Sequence, residues 1–139
     1  MTRKRKTALV IDDDPLIRLS IHEVLESVGF TVWEAENGRQ GMALLRRYTG
    51  LDLIVTDILM PEEDGVEFLL HVKQLDVAAG RRPKIIAISG GGAFADAGFY
   101  LESTNLLGAD VSLTKPFSSD DLVDALATLD LLAPSEVPT

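Results

Sequence analysis

The stretch Leu53-Ile54-Val55-Thr56, closed by Asp57, sets the reading of the whole chain. Four consecutive apolar or β-branched residues, without polar alternation, describe a strand buried on both faces, as inside a parallel sheet. Three further runs share the pattern: Ala8 to Ile11, Ile85 to Ile88 and Val111 to Thr114. A fifth, Thr31 to Ala35, mixes Val32 and Trp33 with the polar Thr31 and Glu34 and suits a sheet edge. Between these runs apolar residues return every three or four positions, at Ile17, Ile21, Val24 and Val28, at Phe68, Val72 and Leu75, and at Leu122, Leu126 and Leu129. That spacing predicts helices. Asp14 before Pro15, Asn37 before Gly38, and Ser118 with Asp121 three residues on supply acceptors for unpaired amides at helix starts. Gly29 and Gly108 fit helix stops. Strands alternating with helices, about five of each, imply an α/β domain with one doubly wound parallel sheet and helices on both faces.

Composition agrees with one such unit. The chain has 139 residues, 46% apolar and 25% charged, enough for one core and too few for two ordinary domains. It has no cysteine, which excludes disulfide scaffolds, zinc-thiolate sites and thiol nucleophiles. No apolar run approaches the ~20 residues of a membrane span, and the basic start lacks the apolar core of a signal peptide. A cytoplasmic protein without membrane contact is expected. The net charge is −9, yet Arg3, Lys4, Arg5 and Lys6 hold four of the thirteen basic residues. The acidic remainder repels nucleic acid, so no direct nucleic-acid binding is expected. Residues 1–6 read as a basic tail, 7–132 as the domain, and the Pro-containing stretch 133–139 as a frayed tail without a linker to an output domain.

In open α/β sheets ligands bind beyond the carboxyl ends of the strands. The residues there are Asp12, Asp13 and Asp14 after the first strand, Asp57 after the third, Ser89 after the fourth and Lys115 after the fifth. Any one alone has an ordinary reading: Asp14 as a helix cap, Lys115 as a solvated lysine, Ser89 as a turn former. Their joint placement on one rim is what points to chemistry. Clustered carboxylates repel unless a cation neutralises them, and all-oxygen donors suit a hard ion such as Mg²⁺. An aspartate can attack a phosphoryl donor to form an acyl phosphate, with Lys115 and Mg²⁺ offsetting the charge on the transferred oxygens. The Ser89 hydroxyl can donate to a phosphoryl oxygen, and Gly90, Gly91 and Gly92 behind it let the backbone move.

Four motifs in order, VIDDDPLIR (Val10 to Arg18), LIVTDILMPEEDG (Leu53 to Gly65), IIAISG (Ile85 to Gly90) and GADVSLTKPF (Gly108 to Phe117), resemble the response-regulator receiver family over roughly Ala8 to Leu132. The resemblance implies a flavodoxin-like (βα)5 fold with strand order 2-1-3-4-5. It implies Asp57 as phosphoacceptor and Asp12, Asp13, Asp57 and the Leu59 carbonyl as Mg²⁺ ligands. It further implies Ser89 as a hydroxyl switch, Lys115 as the phosphoryl contact, and a cis peptide between Lys115 and Pro116. The phosphodonor would be a sensor histidine kinase or a histidine phosphotransfer protein. A downstream protein would be met through the face of helix four, strand five and helix five. Such a chain is a stand-alone switch, not a turnover enzyme.

Two features depart from the family pattern. The usual aromatic three positions before the lysine is Ser112, and the stretch Gly90 to Tyr100 is long, with Phe94, Phe99 and Tyr100 as aromatics that could move instead. Leu59 and Gly91 flank the path of attacking water in this family, and an apolar residue at the first implies a phosphorylated lifetime that is not unusually short. The competing readings are an aspartyl-phosphate hydrolase of the haloacid dehalogenase type and a pseudo-receiver. The first lacks its second acid, since Ile58 and Leu59 follow Asp57, and the second usually loses an acid or the lysine. His22 and His71 lie on helical segments away from the strand ends and take no role. Glu62, Glu63 and Asp64 read as a solvated loop, and Trp33 as packing on the edge strand.

Overall fold

The computed structural model describes residues 5–48, 50–58, 68–72, 82–89 and 108–132. The run that opens the reading is β3 (Leu53–Asp57), buried throughout. It lies between β1 (Lys6–Ile11) and β4 (Lys84–Ser89), with β2 (Phe30–Ala35) outside β1 and β5 (Val111–Thr114) outside β4. All four pairings are parallel, in the order 2-1-3-4-5 of flavodoxin-like folds.

Consecutive apolar residues are needed because each central strand feeds two cores. Ala8, Val10, Leu53, Val55, Ile86 and Ile88 face one cluster. Leu9, Ile11, Ile54, Ile85 and Ala87 face the other. The first cluster is covered by α1 (Pro15–Ser27), through Ile21 and Leu25, and by α3 (Ser119–Thr128), through Leu122, Val123 and Leu126. The second is covered by α2 (Gly38–Arg47), through Met42, and by the helical residues 68–72, through Phe68, Leu69 and Val72. Leu75 lies outside the described residues.

The caps form where the sequence places them. The Asp14 carboxylate accepts from the Leu16 and Ile17 amides, the Asn37 side chain accepts from the Gln40 amide, and Ser118 and Asp121 make a reciprocal capping box. Gly29 and Gly108 both have positive φ, +99° and +97°. Two differences have clear causes. β1 starts at Lys6, inside the basic stretch, and Arg5 Nη2 donates to the Phe30 carbonyl at 3.0 Å, so strand pairing reaches past the apolar run. β5 is not buried on both faces as its run suggested: it is half-buried to exposed, because it takes the second edge of the sheet. Among the described residues no helix is long and apolar enough to cross a membrane.

Candidate functional site

The sheet order reverses at β1, from which the chain passes to β2 on one side and β3 on the other, and the crevice beyond these strand ends is where such a fold binds ligands. Asp12 follows β1 and is fully buried, and Asp57 ends β3 at 3% exposure. Oxygens of Asp12, Asp13 and Asp57 all lie within 4.8 Å of one another. Asp14 is spent on capping α1.

Lys115 reaches this cluster from the end of β5, where its amide donates to the Ser89 carbonyl at 2.9 Å. The Lys115–Pro116 peptide is cis. Lys115 Nζ donates to Asp57 Oδ2 at 2.8 Å and lies 3.3 Å from Asp12 Oδ2. The second contact is an ion pair without hydrogen-bond geometry, so among the described residues buried Asp12 Oδ2 has no hydrogen-bond donor. Burial pushes the Asp12 carboxyl above the usual aspartate range and the Asp57 charge adds to this, while the Asp14 amide and Lys115 draw it back only in part. Burial opposes the Lys115 charge, but the Asp57 hydrogen bond and the charges of Asp57 and Asp12 outweigh it and raise the ammonium above the usual lysine range. Three carboxylates against one ammonium leave a net charge of two negative, which a divalent cation balances.

The donor set fits such an ion: all oxygen, one buried and lacking a donor. Ser89 ends β4 at 3% exposure, and among the described residues its Oγ has no hydrogen-bond partner.

The receiver-domain family model matches residues 8–127, most of the chain. The chain belongs to the response regulator receiver family. It is 34% identical over 119 residues to the chemotaxis protein CheY of Bacillus subtilis, covering 85% of this chain and 92% of that one. It is 33% identical over 115 residues to the transcriptional regulatory protein CpxR of Klebsiella pneumoniae, covering 83% of this chain but 45% of that protein. A CheY-like receiver domain structure from Methanospirillum hungatei JF-1 has a TM-score of 0.76 at 28% identity, covering 91% of this chain and 94% of that one. A receiver domain is a phosphorylatable switch that phosphorylates and dephosphorylates itself, and the hydrolase reading is set aside.

Among the residues expected at the receiver site, Asp12, Asp13, Asp57 and Lys115 are brought together. Ser89 lies on the same rim, one strand from Asp57. Leu59, Gly90 to Gly92, Phe94, Phe99, Tyr100 and Glu62 to Asp64 lie outside the described residues. Ser112 pairs with Ala87 on the edge strand and is half-buried. Trp33 stacks on Tyr48, with ring centroids 4.3 Å apart. Sequence reasoning missed Arg18, Glu34 and His22. Arg18 Nη1 donates to the Asp12 carbonyl at 2.7 Å and Nε to Glu34 Oε1 at 2.8 Å. Arg18 closes the VIDDDPLIR motif, and its place on the first turn of α1 was the available signal.

Proposed function

We propose that Asp57 accepts a phosphoryl group from the phosphohistidine of a sensor histidine kinase or a histidine phosphotransfer protein. An Asp57 oxygen attacks phosphorus, the phosphorus–nitrogen bond breaks with its electron pair going to nitrogen, and the imidazole leaves as that nitrogen takes a proton from solvent. Lys115, already 2.8 Å from the Asp57 carboxylate, is the observation that carries the assignment. Its ammonium sits where charge gathers on the transferred oxygens and follows them once the acyl phosphate forms. Ser89 Oγ donates to one of those oxygens. Mg²⁺ held by Asp12, Asp13, Asp57 and the Leu59 carbonyl would supply electrostatic stabilisation of the same oxygens.

The phosphoryl group adds nearly two negative charges, and drawing Ser89 toward it moves the end of β4 and the loop behind it. The output is a changed protein-binding face that includes β5 and α3; the fourth helix expected beside them lies outside the described residues. The domain, expected over 7–132, takes in Lys6 as well, where β1 begins, and is taken to work in the cytoplasm without direct contact with nucleic acid or membrane. Intact-protein mass after incubation with acetyl phosphate tests the assignment. One phosphoryl adduct is expected that needs both Mg²⁺ and Asp57. An adduct that persists in Asp57→Ala, or none on the folded chain, refutes it.

A further inference from the structure

Asp12 is anchored at almost every polar atom. Its amide donates to the Ala35 carbonyl at 3.2 Å, its Oδ1 accepts from the Asp14 amide at 2.9 Å, and its Oδ2 faces Lys115. Its carbonyl accepts from Arg18 Nη1 at 2.7 Å. That carbonyl belongs to the planar peptide joining Asp12 to Asp13, so holding it fixes the direction in which the chain leaves Asp12. Asp13 is exposed, and among the described residues no side chain holds its carboxylate, so its backbone places it. Arg18 is itself held. Its side chain is only 14% exposed, and Nε pairs with Glu34 Oε1 on β2, whose other oxygen is 2.6 Å from His22 Nδ1. The guanidinium thus spans α1, the loop after β1 and β2 as a rigid fork.

We propose that Arg18 is a positioning residue for the metal site: it sets the Asp12–Asp13 peptide so that both carboxylates address one cation. This rests on the acidic cluster being a Mg²⁺ site. Charge and position make opposite predictions. A cation beside a cation site repels Mg²⁺, so if charge governed, removing Arg18 would tighten binding. Glu34 largely neutralises that charge, which leaves position as the effect that wins.

Calorimetric titration of the full chain with Mg²⁺, with circular dichroism to verify folding, separates the two. Arg18→Ala is expected to bind Mg²⁺ ~10- to 100-fold more weakly, as when an outer partner of a metal ligand is lost. Arg18→Lys keeps the charge but one ammonium cannot hold both the Asp12 carbonyl and Glu34, so it binds more weakly by a smaller factor. Equal or tighter binding in Arg18→Ala overturns the proposal. If that variant does not fold, an unchanged affinity in Arg18→Lys overturns it instead. A native chain that binds no Mg²⁺ overturns the metal reading itself, and this one with it.

Discussion

His22 lies between two carboxylates, with Nδ1 2.6 Å from Glu34 Oε2 on β2 and Nε2 3.2 Å from Glu26 Oε2 one turn along α1. Burial alone would lower its pKa, but the hydrogen bonds and charges of Glu34 and Glu26 prevail and raise it above the usual histidine value. A raised folded pKa means that the folded chain holds the proton more tightly than the unfolded one. The stability gained is therefore complete below the unfolded value of about 6.5 and is lost as pH rises through the folded value. His22→Gln should lower Tm more at pH 5.5 than at pH 8.5 in thermal melts. Equal losses at the two pH values would show that the proton contributes nothing. Only the His22–Glu26 pair, four residues apart on one helix, is visible in the residue order. Arg18 and Glu34 are joined only because β2 pairs with β1 in a register that sets Glu34 opposite Val10, and spacing along the chain does not state a register.

At the scale of elements, sequence carries most where one physical rule governs. β3 over Leu53 to Val55 and β4 over Ile85 to Ile88 had to be apolar at consecutive positions because each faces two clusters, and the cap residues Asp14, Asn37 and Ser118 each had an amide to satisfy. β5 shows the limit: Val-Ser-Leu-Thr is compatible with an interior or an edge, and neighbours decide between them. Glycines divide in the same way. Gly29 ends α1 at φ +99°, and a Cβ there would meet nothing within 4 Å, so its requirement is local and readable. Gly41 lies inside α2, where a Cβ would come 2.5 Å from Ile11 Cδ1 and 3.2 Å from Phe68 Cε2, a need for room that only the packed helix discloses. Gly29→Ala should cost ~1–2 kcal/mol from backbone conformation alone. Urea denaturation would then show a lower midpoint with an unchanged slope, whereas an unchanged midpoint would mean that the turn can relax.

Across the whole molecule, the parallel sheet gathers residues far apart in sequence onto one rim, and that placement was legible because every strand's end was legible. What the order of residues could not supply was the balance of charge there. Lys115 serves both Asp57 and Asp12, so three acids share one ammonium, and folding without a cation must overcome their repulsion. Asp57→Asn removes one acid but also the 2.8 Å partner of Lys115. Because Asp12 remains 3.3 Å from Nζ, the ammonium keeps a partner, and relief of repulsion should win. With EDTA present, Asp57→Asn is expected to melt no lower than the native chain. Mg²⁺ should then raise the native Tm much more than that of the variant, since an ion bound only by the folded state stabilises by ~2.7 kcal/mol at a hundred times its Kd. An Asp57→Asn chain that melts well below the native one in EDTA would mean that the Lys115–Asp57 pair holds the rim together more strongly than the clustered acids drive it apart.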